Sequence, residues 1–306
     1  MKYILPNPFN LSTYGQDNGQ AYNRIINING ANENASHYFP SNQLTQNCTI
    51  LPPITWTTSS QSMSNPSNHI IVAQSMQNNV IENLNNTNFD IKKDELVVIG
   101  GDHTISIGTG AFLSGIVDMS EVGLIWIDAH GDFNTPETSE SKSLTGYPCA
   151  INNGLGLKEF LKPFNNNFIQ KIVQIGIRDI DILETNNLKH QNIKTFSNLD
   201  IEDLGMANIL TQTLKELESC KYIWLSMDID SLDPIYCDEG RTDVPVTGGL
   251  TPREFQYIAR KIHQSGKLRI SEIVQINNSD NNSNLVYLAN RTIEILLGLG
   301  KFRINE

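Results

Sequence analysis

Three short polar clusters follow three apolar runs in this chain. Gly100-Gly101-Asp102-His103 comes after Leu96–Ile99, Asp128-Ala129-His130-Gly131-Asp132 after Val122–Ile127, and Asp228-Ile229-Asp230 after Tyr222–Met227. Along an extended segment residues i, i+2 and i+4 point the same way. Asp128, His130 and Asp132 can therefore face one point, and so can Asp228 and Asp230. Crowded carboxylates repel, and each buried charge needs a counter-charge. Divalent cations supply it. Imidazole and carboxylate ligands without thiolate suit a borderline-hard metal such as Mn²⁺ better than structural zinc. Four Asp and two His exceed what one ion needs, so two bridged ions are the expected count. An Asp-x-Asp pair after a strand is common, and a His after a Gly-Gly turn is usually a loop residue. All three clusters at the ends of apolar runs are harder to dismiss. His37, His69, His190 and His263 have no such setting and read as surface or structural.

Such clusters need a scaffold that brings strand ends to one edge. Continuous apolar runs at Leu96–Ile99, Val122–Ile127, Ile172–Ile177, Tyr222–Met227 and Ile270–Ile276 fit strands buried on both faces. A shorter strand is expected at Tyr3–Leu5. Helical patterns lie between them, from about His69 to Leu84, over Asp200–Cys220, and over Leu285–Leu297 with Gly298 as a stop. Thr251-Pro252-Arg253-Glu254 is a capping box with Pro at the first helical position, opening a helix to about Gln264. Alternating strands and helices predict a mostly parallel sheet with helices on both faces. In such sheets ligands bind beyond the carboxyl ends of the strands, where the three clusters fall. No repeat or linker divides the chain, so residues 1–306 are expected to be a single domain. Its Asn/Ser/Thr-rich part over 1–65 carries little pattern.

The chain has 22 Lys+Arg against 33 Asp+Glu, a net charge of −11. That balance argues against a nucleic-acid or anionic-membrane partner, which would need a basic face. No apolar run reaches the roughly 18 residues of a spanning helix. The opening residues are too short a run for a signal-peptide core. Four separated cysteines, Cys48, Cys149, Cys220 and Cys237, form no Cys-x-x-Cys pair and read as reduced thiols. A cytoplasmic enzyme with a small-molecule substrate is expected.

The three clusters, with Ser226-Met227-Asp228-Ile229-Asp230-Ser231-Leu232-Asp233-Pro234 as the third, resemble in order the signature motifs of the ureohydrolases: arginase, agmatinase and formimidoylglutamase. The resemblance runs from about residue 95 to 300, and the segment Val244 to Thr251 shares it. It implies a three-layer α/β/α sandwich around a mostly parallel sheet. It also implies two Mn²⁺ per chain, bridged by Asp128 and Asp228, with His103 and Asp132 completing one ion and His130 and Asp230 the other. The nucleophile implied is a hydroxide between the ions, since paired metals lower the pKa of a bound water towards about 7. Asp132 would orient it and pass its proton to the leaving nitrogen. Family members form trimers or hexamers, so a homo-oligomer is an expectation by resemblance.

The substrate side resembles arginase more closely, with two departures. Asn134, Ser139 and Ser141 stand where arginase binds an α-carboxylate. Asp181 and Glu184, after Arg178, resemble the acids that hold an α-amino group. Where arginase and agmatinase carry a His before Gly-x-Pro, this chain has Thr145, and formimidoylglutamases often carry a small hydroxyl residue there. Where arginase has a Glu for the guanidinium, the strand ending at Ile276 offers Gln275, followed by Asn277-Asn278. A neutral amide lacks the charge-assisted contact that a guanidinium prefers. The expected activity is hydrolysis of a non-peptide C–N bond in a linear amidine, an amino-acid-derived guanidino or formimidoyl compound. The alternatives are a neutral ureido or amide substrate, a metal-binding protein without turnover, and a deacetylase on a related fold. The last would use one zinc and would not need Asp132 and both outer ligands.

Overall fold

A computed structural model describes residues 1–11, 43–56, 66–237, 245–276 and 283–299. His37, Val244 and the Asn277-Asn278 pair, singled out above, lie outside the described residues. Eight parallel strands run in the order β2-β1-β3-β8-β7-β4-β5-β6. They are β1 (Lys2–Asn7), β2 (Thr49–Ile50), β3 (Glu95–Gly100), β4 (Val122–Ile127), β5 (Lys171–Ile177), β6 (Lys194–Ser197), β7 (Tyr222–Asp228) and β8 (Leu268–Val274). The longer helices are α1 (Pro66–Asn85), α2 (Ser106–Ile116), α3 (Ile182–His190), α4 (Asn198–Leu204), α5 (Met206–Glu216), α6 (Pro252–Gln264) and α7 (Ser283–Leu296).

The apolar runs form central strands because both of their faces are covered. In β4, Ile125 and Ile127 join the layer packed under α5, α6 and α7, with Ile209, Phe255 and Ile293. Leu124 and Trp126 face the opposite layer, under α1 and α2, with Met76, Val80 and Phe112. Side chains alternate across a strand, so one apolar run feeds two cores. The result is the three-layer α/β/α sandwich expected from the sequence.

Helix α6 begins as its capping box predicts. The Glu254 amide donates to Thr251 Oγ1 at 3.2 Å, and Glu254 Oε2 accepts from the Thr251 amide at 2.9 Å. The segment Asp200–Cys220 departs from expectation. It is two helices, α4 and α5, parted at Gly205, whose φ of 74° lies in the left-handed region that an α-helix cannot continue through. Strand β8 ends at Val274, short of Ile276, and Gln275 itself takes a φ of 61°. That turn carries the Gln275 side chain off the strand.

Candidate metal centre

Because the strands are parallel, the carboxyl ends of β3, β8, β7, β4 and β5, adjacent in the sheet, share one edge. His103 follows β3 in a tight turn that Asp102 secures. One Asp102 oxygen accepts from the Thr104 amide at 2.9 Å and the other from the Leu11 amide at 2.5 Å, so this aspartate ties the turn to the N-terminal segment. A Cβ on Gly101 would fall into the Phe9 carbonyl, so only glycine permits that approach.

Asp128 is the hinge between two ligand groups. Its Oδ2 lies 2.9 Å from His103 Nδ1 and its Oδ1 3.4 Å from His130 Nδ1. The first group is His103, Asp128 and Asp228, all buried, with Asp228 Oδ2 at 3.1 Å from His103 Nδ1 and Asp132 Oδ2 beside it at 3.4 Å. The second is Asp128, His130 and Asp230, with Asp230 Oδ2 at 3.2 Å from His130 Nδ1. Within each group the potential ligand atoms lie within 4.8 Å of one another. Asp228 belongs to the first group and not the second, and its Oδ1 accepts the Asp230 amide at 2.7 Å.

The electrostatics call for cations. Burial and the neighbouring carboxylates push Asp132 and Asp228 well above the usual carboxylate range, and Asp230 above it as well. For Asp128, burial works upward, but His103 and His130 beside it outweigh that and hold the group low. Against burial, Asp128 and Asp230 push His130 up to about 12. Without metal, then, protons substitute for the missing positive charge. His103 Nδ1 has three carboxylate oxygens around it yet no well-directed hydrogen bond. A lone pair aimed into a carboxylate cluster fits a divalent ion. Thiolate is absent from this donor set: burial raises the nearby Cys149 thiol well above its usual range and Cys237 to about 12.

The two groups floor a cavity of about 530 Å³. Asn134, Ser141, Thr145, Asp181, Glu184 and Gln275, expected on the substrate side, line it. Ser139 does not. It is buried in the loop, where its hydroxyl accepts from the Lys142 amide at 3.0 Å and meets Ser141 Oγ at 3.4 Å. Thr145 Oγ1 lies 2.8 Å from Ser143 Oγ. Asp132 (φ 48°) and Gln275 (φ 61°) both hold left-handed backbone, a strain that collects at functional sites. Each is pinned: the Asp132 carbonyl accepts from the Cys149 and Ala150 amides at 3.0 and 3.2 Å, and the Gln275 amide donates to the Gly101 carbonyl.

Comparison with known proteins settles what this edge belongs to. Residues 42–298 match the family model for the arginase family. The chain belongs to the arginase family. It is 38% identical to an arginase of Staphylococcus aureus over 212 residues, 68% of this chain and 67% of that one. It superposes on the crystal structure of arginase from Bacillus subtilis with a TM-score of 0.79 at 25% identity, covering 99% of this chain and 100% of that one. It also shares its fold with the formimidoylglutamase of Bacillus subtilis, at TM-score 0.70 and 18% identity over 97% and 86% of the two chains. Membership makes the chain a hydrolase of carbon–nitrogen bonds in linear amidines.

Sequence reasoning missed several residues of this arginase-family site. His69, read there as surface or structural, lines the cavity from the first turn of α1. No strand end precedes it, so its spacing carried no signal. Trp126 stacks on His103 with ring centroids 3.8 Å apart and planes 6° from parallel, and its indole N–H donates to Asp128 Oδ2 at 3.0 Å. Glu184, read as a substrate ligand, accepts from the Phe133 and Asp181 amides at 2.7 and 3.3 Å. Arg178 aims its guanidinium at the carbonyls of Val246, Asp230, Ser231 and Leu232, bracing the loop after β7.

Proposed function

We propose that the protein is a binuclear manganese hydrolase of the arginase type, acting on a guanidino compound built on an amino-acid frame. Asp128 would bridge the ions, with His103, Asp132 and Asp228 on one side and His130 and Asp230 on the other. Asp228 would contribute Oδ2, the oxygen 3.1 Å from His103 Nδ1. When bound, two such ions supply a water activated near neutral pH and stabilise negative charge on the reacting centre.

One observation carries the choice of substrate class. Among the described residues that line the cavity there is no lysine or arginine, while Glu140, Asp179 and Asp181 line it beside the candidate ligands. A formimidoylglutamate substrate brings two carboxylates and would enter an acidic cleft without a cation to meet them. A guanidino amino acid brings two cationic groups and one carboxylate, and that charge pattern suits this wall. Asn134 and Ser141 would offer neutral donors to the carboxylate, and Asp181 and Asp179 would meet the amino group. Asp132, beside His103 Nδ1, would hold a proton and pass it to the leaving nitrogen.

Gln275 supports a second reading. Its Oε1 is buried without a hydrogen-bond partner, and a neutral amide at this place serves a ureido or amide group as well as a guanidinium. Release of urea, ammonia or formamide from a panel of guanidino, formimidoyl and ureido amino acids, with Mn²⁺ present, tests both. Urea release from arginine-like compounds supports the first reading, and ammonia from ureido compounds alone supports the second. No release from any compound, with two Mn²⁺ bound, would make this a metal-binding protein without turnover. The free, mostly buried thiols of Cys149, Cys220 and Cys237 suit the cytoplasm. No helix among the described residues is long and apolar enough to cross a membrane.

A further inference from the structure

Two buried polar side chains sit within the sheet behind the candidate ligands, where a strand buried on both faces would ordinarily be apolar. Ser226 on β7 lies opposite Glu272 on β8 in the strand register, and neither exposes any surface. Ser226 Oγ lies 2.8 Å from His103 Nε2 and 2.8 Å from Glu272 Oε2, while Thr109 Oγ1 on α2 donates to Glu272 Oε1 at 2.5 Å. The result is a continuous chain from helix α2 to the imidazole: Thr109, Glu272, Ser226, His103.

Counting protons along this chain sets its direction. An ionised carboxylate accepts hydrogen bonds and cannot donate. With Glu272 ionised, the single hydroxyl proton of Ser226 goes to its Oε2. Towards His103 the hydroxyl oxygen can then only accept, so Nε2 carries hydrogen, and in the neutral imidazole that a metal ion requires the lone pair falls to Nδ1. Nδ1 is the nitrogen surrounded by Asp128, Asp228 and Asp132. Trp126 holds the ring plane from one face, leaving the hydrogen bond to choose between the nitrogens.

We propose that Glu272, acting through Ser226, is a positioning residue that fixes His103 as the Nε2–H tautomer and so presents Nδ1 to a metal ion. The inference rests on the two-ion reading of the site. Residues behind a ligating histidine fix tautomer and ring orientation, and their loss weakens metal binding by about 10–100-fold. Glu272→Gln tests the direction of the chain with little change of shape. The amide can donate to Ser226 Oγ, which frees the hydroxyl to point at His103 Nε2 and drives the imidazole proton to Nδ1.

The measurement is Mn²⁺ binding to the full chain by equilibrium dialysis, with the thermal unfolding of the metal-free protein recorded beside it. Native protein should bind two ions. Glu272→Gln should weaken one of them by about 10–100-fold and leave the other and the metal-free unfolding temperature near native. Ser226→Ala, which removes a single oxygen, should weaken the same ion, and it carries the test if Glu272→Gln fails to fold. The double variant should bind no more weakly than the weaker single one, since both break one chain. Two ions at native affinity in either folded variant, or equal weakening of both ions, would overturn the inference. Fewer than two ions on the native protein would instead overturn the two-ion reading beneath it.

Discussion

The Gln275 amide donates to the Gly101 carbonyl at 2.6 Å, tying the residue after β8 to the turn that presents His103. The link fixes a neutral amide at the rim of the candidate metal centre, with its Oε1 buried and unpartnered. Gln275→Glu should therefore favour guanidino substrates by about 1–3 kcal/mol, the scale of a hydrogen bond to a charged group. The native protein should handle arginine less well than the variant. Measuring kcat/KM for arginine in both proteins checks this. Efficient hydrolysis by the native chain with no gain in the variant would mean that Gln275 does not meet the substrate.

Asp128 gives one oxygen to each histidine, so Asp128→Ala strips a ligand from both groups at once. The expected outcome is loss of both Mn²⁺ ions, of activity, and of the metal-dependent rise in melting temperature. Asp228→Ala should also release metal, since it removes a ligand from the first group. Two ions retained by Asp128→Ala, measured by elemental analysis after dialysis, would refute the ligand assignment.

How far the sequence carried the structure depended on burial. Strands β4 and β7 were legible because both faces are covered, which leaves unbroken runs such as Val-Gly-Leu-Ile-Trp-Ile. Edge strands β2 and β6 were not, since Thr49–Ile50 is too short and Lys194–Ser197 buries only Phe196 fully. The aspartates and histidines of the site stood out because they cluster at strand ends, Asp128, His130 and Asp132 and then Asp228 and Asp230 recurring at every second residue. His69 had no such context. Ser226 and Glu272 did leave a signal, a polar residue inside an apolar strand, but their meaning needed the β7–β8 register. The loop residue Ser139 had the right composition, yet its hydroxyl turned inward to hold the loop, and only the fold could show that.

Thr145 lines the cavity through a hydroxyl that does not titrate near neutrality, so it cannot carry protons as an imidazole would. If the substrate is guanidino, Thr145→His should raise kcat while leaving Mn²⁺ binding unchanged. His69, which also lines the cavity, should then matter less in the variant, so His69→Ala should cost more activity in the native background than in Thr145→His. A rate that is unchanged or lower in Thr145→His across the whole panel would show that Thr145 serves a different substrate.

Glu184 links the site to the pH dependence of stability. It is only 4% exposed, and burial outweighs the amides of Phe133 and Asp181 to lift its pKa from 4.5 to about 7. Between pH 4.5 and 7 the folded state keeps a proton that the unfolded chain has released. Stability must therefore fall as pH rises through this window, by about 3 kcal/mol in total, and become flat with respect to this group above it. Glu184→Gln removes that slope, while leaving one oxygen for two backbone donors costs about 1 kcal/mol at every pH. The variant should thus be less stable than native near pH 4.5, and the gap should close or reverse by pH 8. Urea unfolding of both metal-free proteins across pH 4.5–8 measures the difference directly, with the remaining carboxylates cancelling between them. A gap that stays constant over that range would mean that Glu184 titrates normally and that its burial is not what the fold requires.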